Sequence, residues 1–354
     1  MDKKCRLVFF SSGDFPYYTI EQILSLNLYD VAGIVTSEYK SITIGSTIED
    51  LANKYKIPCL KIHQNSELKS DKTLSWLKEK NADIFCVISF KYLPNEILSI
   101  PKITSFNVHA SLLPFLRGAA PIYWAIRHGF KYTGLTSFVL DECIDTGEII
   151  SNIRIPIDEN ETYGTLHKKL SVACIGFTVE TISHIYRHND WRRNLILQPD
   201  CGILSKYMKA PKLKSEYLII DGNFSDYING INDDGFKNVY ALFRALSPYI
   251  GCKANLSVHQ KYGSFHKTYG IKIYNSEPLD KNEINYEELC KFKKSPYSNI
   301  ITDGKTFMYI DPKYTNKMIS IKEIQISGKK KMNIKDFLAG LQYARMNDMY
   351  LIIY

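Results

Sequence analysis

Strand-like and helix-like segments alternate through the first half of the chain, and that rhythm limits the fold more than any other feature. "RLVFF" (6–10) reads as a short buried strand. Residues 16–28 follow with Ile20, Ile23, Leu24 and Leu28 at helical spacing. "VAGIVT" (31–36) is a second strand, and "TIEDLANKYK" (47–56) a helix capped by Thr47. "IPCLKI", "DKTLSWLKEK" and "DIFCVIS" (83–89) repeat strand, helix and strand. The expected class is α/β, a Rossmann-like, open and mostly parallel sheet with helices on both faces. Such sheets take ligands outside the carboxyl ends of their strands.

The pattern continues with a strand at 103–109, a helix at 119–129 ended by Gly129, a strand at 135–140 and a long helix at 162–188. "DECIDTGEII" reads as a loop leading into an extended segment. Near residue 200 the character changes. "KYMKAPKLKSEY" (206–217) is polar, basic and interrupted by proline, like a linker. Short alternating strands then recur in "KANLSVH", "YGIKIYNSE", "KTFMYID" and "KMISIKEIQI", with one late helix at 333–344. The expected domains are 1–200, a linker at 201–216, and 217–354 as a small OB-like β-barrel of the kind that binds oligonucleotides.

Charge divides the same way. Of 45 Lys and Arg and 37 Asp and Glu, residues 1–200 hold 22 of each. The net +8 therefore lies wholly beyond residue 200, which fits either a polyanionic partner for that part or a lysine-rich surface that is only solvated. Eight cysteines are scattered without a C-x-x-C, so no zinc or disulfide framework is signalled and a reducing cytoplasm is expected. The apolar run after the N-terminal basic cluster is too short for a signal-peptide core, and no stretch reaches membrane-span length. No membrane partner is expected, and no metal.

"SFNVHASLLPFLR" (105–117) carries Asn107 and His109 two apart at a strand end. Side chains at i and i+2 of a strand face one way. The pair can serve packing, a metal or chemistry. A neutral His is the usual general acid or base near pH 7, and an Asn amide suits an oxyanion. Asp145, in "DECIDTGEII", is a single Asp-Thr-Gly, whereas aspartic-protease chemistry needs two carboxylates sharing a proton. The alternative role is a carboxylate that orients His109 and stabilises its charged form.

"FNVHASLLPFLRGAAPIYWAI" followed by "LDECIDTGEI" resembles the signature of folate-dependent formyltransferases. The matching motifs are Asn-x-His, Ser-Leu-Leu-Pro, Arg-Gly-Ala-Ala-Pro and Asp-Thr-Gly-Glu, in order. Within that superfamily "RGAAPIYWAI", "APKL", "LFRALSPYIGCKANL" and "EIQISGKKKMNIKDFLAG" are similar to the methionyl-tRNA formyltransferase family, a likeness covering about residues 5–343. The resemblance implies formyl transfer from 10-formyltetrahydrofolate to the α-amino group of initiator methionyl-tRNA; a monomer is expected. It implies a catalytic trio of Asn107, His109 and Asp145. It implies folate contacts from Ser111, Leu112, Leu113 and Pro114, from Ser89, Phe90 and Lys91, and from Leu140. Contacts with tRNA are expected from Lys40, Lys206, Lys209, Lys212, Lys214, Lys329, Lys330 and Lys331.

Two segments depart from the family pattern. The opening turn is "SSGDF" (11–15) where the family has G-T-P-x-F. The segment "TSEYKSITIGST" (36–47) is short and carries one basic residue, Lys40, where the family has a longer basic loop that grips the tRNA acceptor end. The alternatives are a sugar-nucleotide N-formyltransferase sharing the trio, and an inactive RNA-binding relative.

Overall fold

The computed structural model describes residues 4–39, 41, 44–199, 209–219, 235–260, 266–280, 299–303, 305–310, 317–341 and 349–353. The chain forms two compact units, one of residues 1–125, 130–158 and 165–212, the other of 126–129, 159–164 and 213–354.

The first unit follows the alternation read from the sequence: β1 (Arg6–Ser11), α1 (Tyr17–Ser25), β2 (Asp30–Ser37), α2 (Ile48–Lys54), β3 (Cys59–Ile62), α3 (Asp71–Glu79), β4 (Ile84–Ile88), α4 (Asn95–Leu98), β5 (Thr104–His109), α5 (Pro121–Arg127), β6 (Tyr132–Val139), β7 (Ile149–Pro156) and α6 (Tyr163–Arg187). Its seven strands lie in the order β3-β2-β1-β4-β5-β6-β7. The first five run parallel, while β5/β6 and β6/β7 are antiparallel. The extended segment after "DECIDTG" is thus β7, hairpinned back onto β6.

Central strands of this sheet are buried on both faces, which is why they read as continuous apolar runs. Val8, Phe10, Phe85 and Val87 pack on one side with Ala32, Val35 and Leu77. Leu7, Phe9 and Cys86 alternate with them and are fully buried too. Thr47 caps α2 as expected: its side chain accepts from the Asp50 N–H, and the Asp50 carboxylate accepts from the Thr47 N–H. Those hydrogen bonds also hold the Asp50 carboxyl below its ordinary pKa.

The second unit holds α7 (Gly235–Leu246), β8 (Cys252–Gln260), β9 (His266–Asp280), β10 (Ile300–Ile301), β11 (Met308–Ile310), β12 (Lys317–Ile326), β13 (Met332–Asn333), α8 (Ile334–Gly340) and β14 (Met349–Ile353). Its antiparallel sheet runs β10-β11-β12-β9-β8-β14, with β13 on β12. Cys252, Ala254, Leu256 and Val258 alternate inward along β8. The sheet is nearly closed, and among the described residues one side chain reaches across the seam between its end strands. Asn299, just before β10, donates from Nδ2 to the Ile353 carbonyl at 2.6 Å and accepts from the Ile353 N–H at 2.8 Å. Its amide thereby stands in for a strand at the seam with β14. The late helix expected at 333–344 is α8, and residues 342–348 lie outside the described residues.

Cys5, Cys59, Cys86, Cys143, Cys174 and Cys252 are not in disulfides. Among the described residues no helix is long and apolar enough to cross a membrane, and no cluster of three metal-ligating side chains occurs.

Candidate active site

Strand order in the first sheet reverses at β1/β4, with β2 and β3 on one side and β5 on the other. Such a switch point opens a crevice at the carboxyl ends of the strands. The Ser12 N–H donates to the Ser89 carbonyl at 2.9 Å, clasping the ends of β1 and β4. Ser12 Oγ lies 2.7 Å from Ser37 Oγ and ties in the end of β2.

On β5, Asn107 sits between Val87 of β4 and Phe138 of β6. Its Oδ1 is buried and has no hydrogen-bond partner. Buried amide oxygens are nearly always paired, so an unpaired one suits a partner that arrives from outside the chain. Two residues on, His109 is 7% exposed, and its Nε2 lies 2.9 Å from the Leu116 carbonyl. A carbonyl only accepts, so Nε2 carries the proton. Nδ1 then faces Asp145 Oδ2 at 3.7 Å.

Asp145 Oδ2 accepts from the Gly118 N–H at 2.8 Å. One short turn therefore serves both residues: Leu116 holds the imidazole and Gly118 holds the carboxylate. The turn needs unusual backbone, with φ +62 at Leu116 and +121 at Gly118. A Cβ at 118 would lie 2.6 Å from the Ala210 carbonyl oxygen, so glycine is required on both grounds.

Three side chains fix the loops around this pair. Asp141 accepts from the Cys143 N–H at 3.0 Å and from Thr146 Oγ1 at 2.9 Å, shaping the loop that carries Asp145. Gln198 Oε1 accepts from Arg117 Nη2 at 2.7 Å, while its Nε2 donates to the Gly147 carbonyl at 2.7 Å. It spans the turn that holds His109 and the loop that holds Asp145. Thr136, opposite His109 on β6, accepts from the Leu113 N–H at 3.1 Å and donates to the Ser111 carbonyl at 2.7 Å.

The other wall of the crevice is apolar. Phe90 and Leu140 rest on the core of Val8, Phe10 and Val87, and Leu140 also packs against Leu113. Tyr92 Oη donates to the Glu142 carbonyl at 3.2 Å, and Asn95 Nδ2 donates to the Glu142 carboxylate. These bonds join the 88–95 segment to the 140–147 loop. At the ends of β1 and β2 a second hollow of about 230 Å³ is lined by Gly13, Thr36, Glu38, Tyr39, Glu49 and Lys61. Lys61 is already paired with Glu49 at 2.8 Å.

Residues 6–180 match the formyl transferase family, and residues 233–342 match the formyl transferase C-terminal domain. The methionyl-tRNA formyltransferase of Azobacteroides pseudotrichonymphae is 34% identical over 347 residues, 96% of this chain and 97% of that protein. That of Bacteroides thetaiotaomicron is 31% identical over 350 residues, 98% of this chain and 97% of that protein. The chain belongs to the methionyl-tRNA formyltransferase family. A structure of HypX from Aquifex aeolicus in complex with tetrahydrofolic acid superposes with a TM-score of 0.57 at 14% identity, over 95% of this chain and 47% of that one, a likeness of fold.

Asn107, His109 and Asp145 are brought to one crevice. Of the expected folate contacts, Phe90, Leu113 and Leu140 border its apolar wall. Ser89 is exposed at the end of β4 with φ +55, and Lys91 is half-buried with Nζ donating to the His63 carbonyl at 3.5 Å. Pro114 follows Leu113 through a cis peptide bond. The Ser111 hydroxyl is fully buried and donates to the Phe115 carbonyl at 2.6 Å, and Leu112 packs against Gly134 and lines a separate cavity. Lys40 and Lys206 lie outside the described residues. Lys209, Lys212 and Lys214 are exposed, as are Lys329, Lys330 and Lys331.

Sequence reasoning missed Thr136, Asp141 and Gln198. Asp141 had a signal, since an Asp heading a polar loop favours an Asx turn. Gln198 had none: it is one amide in "ILQPD", 51 positions beyond the Gly147 carbonyl that it holds.

Proposed function

We propose that the protein transfers the formyl group of 10-formyltetrahydrofolate to the α-amino group of initiator methionyl-tRNA, supplying translation initiation. The observation that carries this reading is the pairing, on one strand face, of Asn107, whose buried Oδ1 has no hydrogen-bond partner, with a His109 whose Nδ1 is directed at Asp145. Bound folate supplies an activated formyl group and a nitrogen leaving group. The apolar wall of Phe90, Leu113 and Leu140 fits a flat ring system, and Asn107 fits the reacting end.

The residues then divide the proton work. The Leu116 carbonyl keeps the Nε2 proton in place, so Nδ1 is the basic atom of neutral His109. An attacking primary amine with a pKa near 8 needs little base strength to shed its proton. Nδ1 takes that proton, Asp145 stabilises the resulting imidazolium, and the same proton is returned to the departing nitrogen. Asn107, turned about its terminal torsion, presents an N–H to oxygen that gains charge during transfer.

The working division is residues 1–200 for chemistry, 201–216 as linker, and 217–354 for holding tRNA. The excess positive charge beyond residue 200 and exposed Lys329, Lys330 and Lys331 support this division. Lys209, Lys212 and Lys214 are placed with the tRNA contacts for the same reason. None of the six described cysteines is held in a disulfide, which supports action in the cytoplasm. The test is transfer of labelled formyl from 10-formyltetrahydrofolate to charged initiator tRNA, with free methionine and a nucleotide-linked amino sugar as competing acceptors. Formyl-methionyl-tRNA is the expected product, and formylation of the sugar in its place would overturn the reading.

A further inference from the structure

The turn that organises His109 has a second lining that the proposed reaction leaves unused. A cavity of about 280 Å³ is walled by Leu112, Phe115, Leu116 and Phe130 and completed by Tyr132 and Arg154. Phe115 and Tyr132 are 47% and 44% exposed, high for large aromatics. Arg154 faces Gly134 across the β6/β7 ladder, so it shares a face with Tyr132. Its guanidinium stacks 3.6 Å from the centre of the Tyr132 ring. Among the described residues Arg154 has no carboxylate or hydrogen-bond partner.

We propose that this cavity receives one unstacked nucleobase from the single-stranded acceptor end of the tRNA substrate, a site that rests on tRNA being the acceptor. The volume falls just below the range of sites for drug-sized ligands, which suits one ring system. Aromatic faces and a planar cation take any base by stacking, and single-stranded RNA is recognised mainly in this way. The uncompensated charge of Arg154 meets the adjoining phosphate. A purely apolar occupant would leave that charge without a partner. The position also suits an acceptor end: Leu116 lines the cavity with its side chain and holds His109 Nε2 with its carbonyl. A base seated there lies one residue from the group that handles the amine's proton.

The test uses the full chain and three variants, Tyr132→Leu, Arg154→Gln and Tyr132→Trp. The KM for methionyl-tRNA should rise about tenfold in the first two, the cost of one lost stacking partner. Tyr132→Trp should keep the wild-type value, and the KM for 10-formyltetrahydrofolate should not move in any variant. A second arm needs no turnover: an uncharged acceptor-stem RNA with 2-aminopurine at its last base should be quenched by the wild type and not by Tyr132→Leu. Wild-type protein that quenches the probe but formylates no methionyl-tRNA would sink the proposed reaction and leave the base site standing. Unchanged KM for tRNA and unchanged quenching in both Tyr132→Leu and Arg154→Gln would overturn the site.

Discussion

Asn107 is kept at a cost. A buried amide oxygen without a partner forfeits about 1–3 kcal/mol of desolvation. Replacement by an apolar residue of similar size should relieve that cost while removing the group proposed to meet developing charge. Asn107→Leu is therefore expected to melt no lower than wild type and to lose roughly 10²–10³ in kcat. His109→Ala should lose a similar factor in single-turnover formylation, and near wild-type turnover in either variant would remove that residue from the chemistry. Another histidine has the opposite character. His167 sits against Phe15, ring centroids 5.5 Å apart, and burial pushes its pKa below the ordinary 6.5. Folding thus favours neutral His167. Its contribution to stability is full above pH 6.5 and declines as pH falls through that value, because the unfolded chain then binds the proton more readily. His167→Phe should flatten the stability profile from pH 6.5 downward in chemical denaturation. An acid limb of unchanged slope would assign that loss to other groups.

At the scale of elements, the site is two loops held at a set distance by Gln198. Truncation to Ala frees Arg117 from one side and the Gly147 carbonyl from the other. Displacement of a catalytic group by about 1 Å can cost 10²-fold in rate. Gln198→Ala should therefore lower kcat roughly 10–100-fold with little change in melting temperature, and an unchanged kcat would show that the loops hold themselves. Much of this arrangement was legible in the residues. The Asn107–His109 spacing declared a shared strand face because period two is strict, and Thr47 announced its helix because a cap and Asp50 sit three apart. The antiparallel run from β5 to β7 was not legible, since direction leaves no mark in an apolar run. Long-range ties such as Gln198 to Gly147 have no local signature either. The barrel seam is a tie of the same kind. Asn299→Ala leaves both backbone groups of Ile353 unpaired and should destabilise the second unit by about 1–3 kcal/mol. Hydrogen exchange at the Ile353 amide should quicken in that variant, whereas unchanged protection would mean that the seam is closed by other contacts.

Across the whole molecule, charge is divided more sharply than hydrophobicity. Residues 1–200 balance 22 cations against 22 anions, and the hollow lined by Thr36 and Glu38 has its Lys61 already paired with Glu49. The excess of +8 lies beyond residue 200, so electrostatic affinity for tRNA should come from there. The lysines of that region are not equivalent. Lys331 is 3.0 Å from the Glu323 carboxylate and lies over the Tyr274 ring, and Lys322 pairs with Glu277 at 3.0 Å. Lys329 and Lys330, on the turn between β12 and β13, are exposed. A lysine already paired with a carboxylate displaces fewer counterions when it meets a phosphate. Neutralising Lys329 and Lys330 together (K329Q, K330Q) should lower the slope of log affinity against log salt by about 1–2, near one unit per lost phosphate contact. Lys331→Gln should change that slope less. Folate affinity should be the same in all three proteins. Filter retention of initiator tRNA between low and physiological salt reads the slopes directly. Parallel lines for wild type and the double variant would place the electrostatic grip away from this turn, and a larger effect from Lys331 than from the pair would show that Glu323 releases it on binding.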